Sequence, residues 1–275
     1  MIVSYEEFLE LLLKHIQTGS NFYYDLLVKV IKNPLRYCGL FRLSNPKTKL
    51  IQNVTQSNEI KLGDIYEELT TKILGKLGYR NLNKNLGSDE NNDVLNVDQL
   101  FYDDNALYMV EMKMRDDHDS TKKRGQFENY LKKIKLLKHK YNPKKLIAIM
   151  WFVDKSLYKN KLYYTAEMKS HSDDYDNVEM KLYYGAEFFN TLNNGHEAWN
   201  DLILNMKKYR KEHINDEVEI PDFGSSQEIF KALLKLPNNL WEKLISNDDL
   251  YVLLRDELFS NGDNIEKAKR LREAC

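Results

Sequence analysis

Residues 94–115, VLNVDQLFYDDNALYMVEMKMR, decide the fold. Two apolar runs flank Asp103-Asp104-Asn105, which has the chemistry of a turn, so the stretch predicts a β-hairpin. Glu111 and Lys113 stand two apart on the second arm, and both side chains therefore leave the same face of the sheet. They close an otherwise apolar strand of Leu107, Tyr108, Met109 and Val110. Burying two opposite charges there costs several kcal/mol of desolvation unless each has a partner or a metal. Asp98 lies on the first arm, where antiparallel pairing can bring it near Glu111. Two carboxylates and a lysine at one strand end suit a hard cation such as Mg²⁺, and the two acids repel unless a cation lies between them. That set has the means to hydrolyse a phosphodiester: a Lewis acid held by Asp98 and Glu111, with Lys113 to hydrogen-bond the attacking water and stabilise developing charge. The same residues also fit a core salt bridge, Glu111–Lys113, with Asp98 as a turn residue.

Downstream of the hairpin, the spacing of Phe127, Tyr130, Leu131, Ile134, Leu136 and Leu137 predicts a helix over 124–141. LIAIMWFV at 146–153 is apolar throughout, as in a strand buried on both faces. A hairpin, a helix and a buried strand in succession lead to a mixed sheet covered by helices. Further strands are expected at 162–168 and 178–184, with helices at 186–192 and 196–213. Upstream, a helix fits 4–16, with Ser4 and Glu7 as a capping box and Phe8, Leu9, Leu12, Leu13 and Ile16 as its apolar face. A second helix fits 21–32 and stops before Pro34. A third fits 62–77, with Ile65, Leu69, Ile73 and Leu77 at helical spacing and Gly78 as a stop. Residues 34–58 show no clear period. They carry Arg36, Arg42, Lys47 and Lys49 among Gln and Asn, which suits either a solvated loop or a surface for phosphate and base contacts. From 214 the chain reads as helical, punctuated by Pro221 and Pro237 and ending in a basic helix near 263–273. The expected class is α/β (α+β), a mixed central sheet with flanking helices. Residues 1–213 would form its core and 214–275 a helical carboxyl-terminal extension.

The chain has 275 residues, of which 42% are hydrophobic and 30% charged, as in a soluble globular protein with a sizeable core. No apolar run approaches the ~20 residues of a membrane helix, so no membrane partner is expected. Acidic residues stand at the amino terminus where a signal peptide has basic ones. Cys38 and Cys275 form no metal-ligand spacing, and a reducing cytoplasm is the expected location. The net charge of −1 leaves nucleic-acid binding open, because a cleft can be locally basic while acidic helices face solvent. No serine or cysteine sits in a nucleophile elbow, and His15, His118, His139, His171, His196 and His213 do not cluster in sequence. No glycine-rich phosphate loop is present, so nucleotide hydrolysis is not expected.

The order Asp98, hairpin, Glu111-Met112-Lys113 resembles the PD-(D/E)xK nuclease superfamily, whose fold most type II restriction endonucleases share; Val97 stands where the family name has proline. The resemblance implies a restriction-endonuclease-like sheet, with Asp98, Glu111 and the carbonyl of Met112 as Mg²⁺ ligands and Lys113 as the catalytic lysine. Gly63-Asp64-Ile65-Tyr66-Glu67 resembles the G-x-x-aromatic-E helix start of many such enzymes, which adds Glu67 to the catalytic set. Residues 115–126 resemble a segment of a subgroup of bacterial type II restriction enzymes. There Lys122, Lys123 and Arg124 oppose the helix dipole unless phosphates bind, and Arg115 and Gln126 join them as DNA contacts beside Arg42, Lys47 and Lys49. Asp116, Asp117, His118 and Asp119 fit either a second metal site or a charge-balanced turn. Gln126 with Tyr130 matches the Q-x-x-x-Y pattern of RecB-like relatives. Residues 183–189 resemble a late strand-to-helix junction whose job is packing. The implied function is Mg²⁺-dependent cleavage of double-stranded DNA at a short sequence. The enzyme would act as a homodimer, or as a monomer on each strand in turn, alongside a partner DNA methyltransferase. A repair or recombination nuclease of the same fold, and a DNA-binding module without catalysis, are the other functions compatible with these residues.

Overall fold

A computed structural model describes residues 1–15, 20–89, 91–114, 120–213 and 220–274. The chain opens with α1 (Tyr5–His15), α2 (Ser20–Lys32), α3 (Leu35–Cys38) and the long α4 (Pro46–Lys76). Strands β1 (Arg80–Asn81), β2 (Asn85–Ser88), β3 (Val94–Asn96), β4 (Gln99–Tyr102) and β5 (Leu107–Lys113) follow. Next come α5 (Ser120–Tyr141), β6 (Leu146–Phe152), α6 (Lys161–Ser170), β7 (Val178–Tyr184), α7 (Glu187–Asn190) and α8 (Gly195–Glu212). The chain ends in α9 (Gln227–Lys235), α10 (Asn238–Ile245), α11 (Asp249–Leu258) and α12 (Asn264–Glu273). Two compact units result, one of residues 1–12 and 63–213, the other of residues 13–62 and 214–275.

The first unit is built on a five-stranded mixed sheet in the order β1-β4-β5-β6-β7. The expected hairpin forms: β4 and β5 pair antiparallel around the Asp103 turn, whose carboxylate accepts from the Asn105 and Ala106 amides. β5–β6 and β6–β7 pair parallel, with Glu111 beside Met150 and Lys113 beside Phe152. β6 is apolar because helices cover both of its faces. On one face Leu107, Met109, Ala148, Met150 and Phe152 pack with Phe127, Tyr130, Ile134 and Leu137 of α5 and Tyr164 of α6. On the other, Trp151 meets Phe188, Phe189 and Trp199, and its indole N–H donates to the Gly185 carbonyl at 2.9 Å. Each buried side chain of this size contributes roughly 1.5–3 kcal/mol, which makes β6 the anchor of the unit. At the amino terminus the expected capping box is present: Ser4 N donates to Glu7 Oε2 at 3.0 Å, and Glu7 N to Ser4 Oγ at 3.2 Å.

The second unit is helical. Leu27, Val30 and Ile31 of α2 share a core with Leu50 and Val54 of α4, Ile229 and Leu233 of α9, Trp241 of α10 and Leu254 of α11. Residues 13–62 thus bury their apolar face with the carboxyl-terminal helices.

Two local expectations are corrected. Much of 34–58, which shows no sequence period, is helical, because α4 begins at Pro46 and runs on without a break into the expected 62–77 helix. Its start carries a legible signal, Asn45-Pro46: the Asn45 side chain accepts from Thr48 N at 2.8 Å, and proline stands at the first helical position. Only a thin stripe, Pro46, Leu50 and Val54, is buried in its first turns, so amphipathicity is weak. The strand expected at 162–168 is α6. Its tyrosines suggest a strand, but Tyr164 and Met168, four apart, are the buried pair.

Candidate active site

β5 enters from a turn, crosses the sheet centre and ends at Lys113, so its last residues lie at the sheet's carboxyl edge. The antiparallel register pairs Gln99 with Val110. Continued by one residue, it sets Asp98 opposite Glu111. Asp98 Oδ2 accepts a hydrogen bond from the Met112 backbone N–H at 2.6 Å, which ties the aspartate across to the Glu111–Lys113 segment. Glu111 shares the α5 face with Met109 and is 5% exposed. Lys113 Nζ stands 3.7 Å from Glu111 Oε2 and is less buried. Glu111 Oε1 accepts from a second amine, Lys133 Nζ of α5, at 2.7 Å.

Lys133 escapes the sequence analysis. It is 8% exposed, and it sits in the apolar stripe of α5 three residues after Tyr130 and four before Leu137. A lysine inside such a stripe is the signal that would have found it, because buried lysines need an anionic partner. Burial, reinforced by the charge of Asp98, pushes the Glu111 carboxyl above its ordinary range, while Lys133 and Lys113 pull it back. Here α5 supplies the counter-charge that keeps a buried carboxylate tolerable.

Other expected residues fall around this centre. Glu67 on α4 pairs with Lys84 at 2.8 Å, and Lys84 O in turn accepts from Val97 N, next to Asp98. The Glu67 carbonyl accepts from the buried Gln99 amide at 2.7 Å, so the helix backbone is locked to the hairpin. Gly63 faces Met114, just beyond the end of β5. Lys122 and Arg124 are exposed in the first turns of α5, and Lys123 Nζ lies 4.6 Å from the ring centre of Tyr163. Gln126 accepts from the Tyr164 hydroxyl at 2.9 Å, and the Tyr130 hydroxyl donates to the Ala148 carbonyl at 2.8 Å. The Q-x-x-x-Y pair is thus engaged in packing. Arg42, Lys47 and Lys49 belong to the second unit. Arg115, Asp116, Asp117, His118 and Asp119 lie outside the described residues.

Residues 77–210 match the HinfI type II restriction endonuclease family. The resemblance to restriction endonucleases is thereby borne out, and the mixed sheet agrees with the PD-(D/E)xK architecture. The HinfI-matched span runs from β1 to within α8 and contains Asp98, Glu111, Met112, Lys113 and Lys133. Glu67 and the whole second unit lie outside it. No curated protein and no solved structure matches the chain.

The donor chemistry fits a hard cation. The Asp98 and Glu111 carboxylates offer oxygen only, and Mg²⁺ characteristically takes one or two carboxylates and completes its shell with water and phosphate. Among the described residues, no cluster of three or more His, Cys, Asp or Glu side chains has metal-binding geometry. Among them also, no helix is long and apolar enough to cross a membrane.

Proposed function

We propose that the protein is a type II restriction endonuclease that hydrolyses phosphodiester bonds of double-stranded DNA at a short sequence, with Mg²⁺ as cofactor. The observation that carries this function is the bond network joining Asp98, Met112, Glu111 and Lys113 at the end of β5, within the span that matches the HinfI family. Asp98, Glu111 and the Met112 carbonyl would hold the ion. When bound, Mg²⁺ supplies Lewis acidity toward the phosphoryl oxygens and toward water.

The remaining work falls to the chain. Lys113, less buried than Glu111, hydrogen-bonds the attacking water and stabilises charge that builds on the phosphorane oxygens. Lys133 fixes Glu111 from the opposite side, so the carboxylate does not have to reorganise on binding. The Asp98–Met112 hydrogen bond holds the two arms of the hairpin in register. Glu67 is a secondary contributor that acts next to Asp98 through Lys84. Lys122, Lys123 and Arg124 contact the DNA backbone, as do Arg42, Lys47 and Lys49 of the second unit; Arg115 is a further DNA contact on the sequence resemblance alone, and Gln126 serves packing. Two copies cut the two strands as a homodimer in the cytoplasm, where a DNA methyltransferase protects the host's own sites.

The test is digestion of closed circular plasmid with Mg²⁺, followed by sequencing of the fragment ends. Discrete bands whose ends share one short sequence are expected. A featureless smear, or cleavage confined to ends and branches, would overturn site-specific restriction.

A further inference from the structure

The second unit lies wholly outside the family match, yet its surface is not neutral. Lys32 at the end of α2, Arg36 in α3, Arg42 in the following loop and Lys49 on α4 line one hollow of about 600 Å³, with no carboxylate in its wall among the described residues. Among the described residues none of these four cations has a carboxylate within ion-pair distance; Lys49 Nζ donates only to Gln52 Oε1, at 3.0 Å. Four cations around one concavity, without an acid partner among the described residues, repel one another, and an external polyanion relieves that repulsion.

Arg42 also borders a second hollow, whose wall includes Leu40, Leu43, Lys47 and one acid, Glu257. The loop between the two hollows is apolar and outward. Leu40 is 90% exposed and Phe41 97%, and Leu43 is fully exposed. Large apolar side chains held in water beside a set of cations form the pattern of minor-groove and architectural DNA binders, in which a wedge enters between base steps while cations hold the flanking phosphates.

We propose that the second unit is a duplex-binding module: the backbone phosphates of DNA seat in the hollow of Lys32, Arg36, Arg42 and Lys49, and the loop carrying Leu40, Phe41 and Leu43 inserts against the bases alongside. The proposal rests on the DNA-cleaving function of the first unit for its choice of polyanion. It adds the site, the wedge and the division of labour.

The test uses the full chain and a labelled duplex oligonucleotide of mixed sequence, with EDTA present so that nothing is cut. Lys32→Glu/Arg36→Glu is compared with Lys231→Glu/Lys235→Glu, an equal charge change on α9. The hollow variant is expected to lose about tenfold or more in affinity, with a log–log salt slope shallower by about two, one for each phosphate contact removed. The α9 control stays close to wild type. Phe41→Ser is expected to abolish the fluorescence change of 2-aminopurine placed at successive base steps, with circular dichroism unchanged. Equal losses in the two charge variants would overturn the proposal. So would a Phe41→Ser protein that binds DNA normally but changes its oligomeric state, because the loop would then join copies of the chain. Wild-type plasmid cleavage with normal binding by the hollow variant would sink this proposal and spare the nuclease function. Hollow-dependent binding with no cleavage would do the reverse.

Discussion

The two units use lysine and arginine in opposite ways. In the first, Lys133 is buried with its ammonium 2.7 Å from Glu111, and Lys113 stands on the other side of the same carboxylate. In the second, Lys32, Arg36, Arg42 and Lys49 surround a hollow with no acid in its wall among the described residues. A buried cation stabilises only the one anion placed beside it, because desolvation makes any mismatch expensive. A solvated cation keeps its charge available for a ligand that arrives from outside. On the proposed function, chemistry belongs to the first unit, and the second adds a surface for duplex capture.

The largest effect is expected at the carboxylates of the first unit. Asp98→Asn or Glu111→Gln should lower the cleavage rate by at least about 10²–10³-fold while duplex affinity in EDTA stays near wild type, since neither carboxylate is among the proposed phosphate contacts. Single-turnover cleavage and fluorescence anisotropy read the two quantities separately. Equal losses in both would erase the division of labour.

Lys133→Met comes next. It leaves Glu111 buried without its nearer partner, and a loss of about 3–5 kcal/mol in urea denaturation is expected. Divalent cation should recover part of that loss, because a bound ion can take over the counter-charge. A Lys133→Met protein as stable as wild type would show that the pair contributes nothing to the fold.

A comparable loss is expected from Ile229→Ala, which opens a cavity in the core of the second unit and should cost about 2–5 kcal/mol. Calorimetry should show the damage confined to one transition if each unit unfolds on its own core. A single transition displaced as a whole would mean that the units unfold together.

Mg²⁺ affinity should also depend on pH. Glu111 is raised above the ordinary carboxylate range, so it is ionised and free to bind a cation only above that raised value. Affinity is therefore full on the alkaline side and falls as the pH drops through it, at a higher pH than exposed carboxylates would require. Mg²⁺ titrations followed by intrinsic tryptophan fluorescence check the direction; affinity that improves toward acid would contradict it. The smallest effect belongs to Ser226→Ala, which removes the side-chain cap of α9 and should cost about 1 kcal/mol with cleavage unchanged.

The sequence showed the centre of the molecule better than its margins. The hairpin, α5 and β6 were legible because period and turn chemistry agree there: Asp103-Asp104-Asn105 between apolar runs, then a helical stripe, then a run of apolar residues. The order of Asp98, Glu111 and Lys113 was legible through its spacing. Lys133 was not, since its one cue, a lysine at helical spacing between Tyr130 and Leu137, is diluted in a lysine-rich helix. α6 read as a strand because aromatic side chains suit both structures, and only the burial of Tyr164 with Met168 separates them. The partnership of residues 13–62 with the carboxyl-terminal helices was hidden for a different reason: two amphipathic faces far apart in sequence do not name each other. Leu40, Phe41 and Leu43 fall in the stretch without a period, which reads as a solvated loop or a contact surface, and only their accessibility shows them turned outward.

The most direct test is a comparison of Lys113→Ala with wild type on one plasmid with Mg²⁺, with cleavage and duplex binding measured on the same preparations. The amine at the end of β5 is expected to be required for cutting and dispensable for binding: wild type gives discrete fragments, and the variant leaves supercoiled DNA intact while retaining affinity. Cleavage by Lys113→Ala at the wild-type rate would contradict the assignment of that lysine, and of the site built around it.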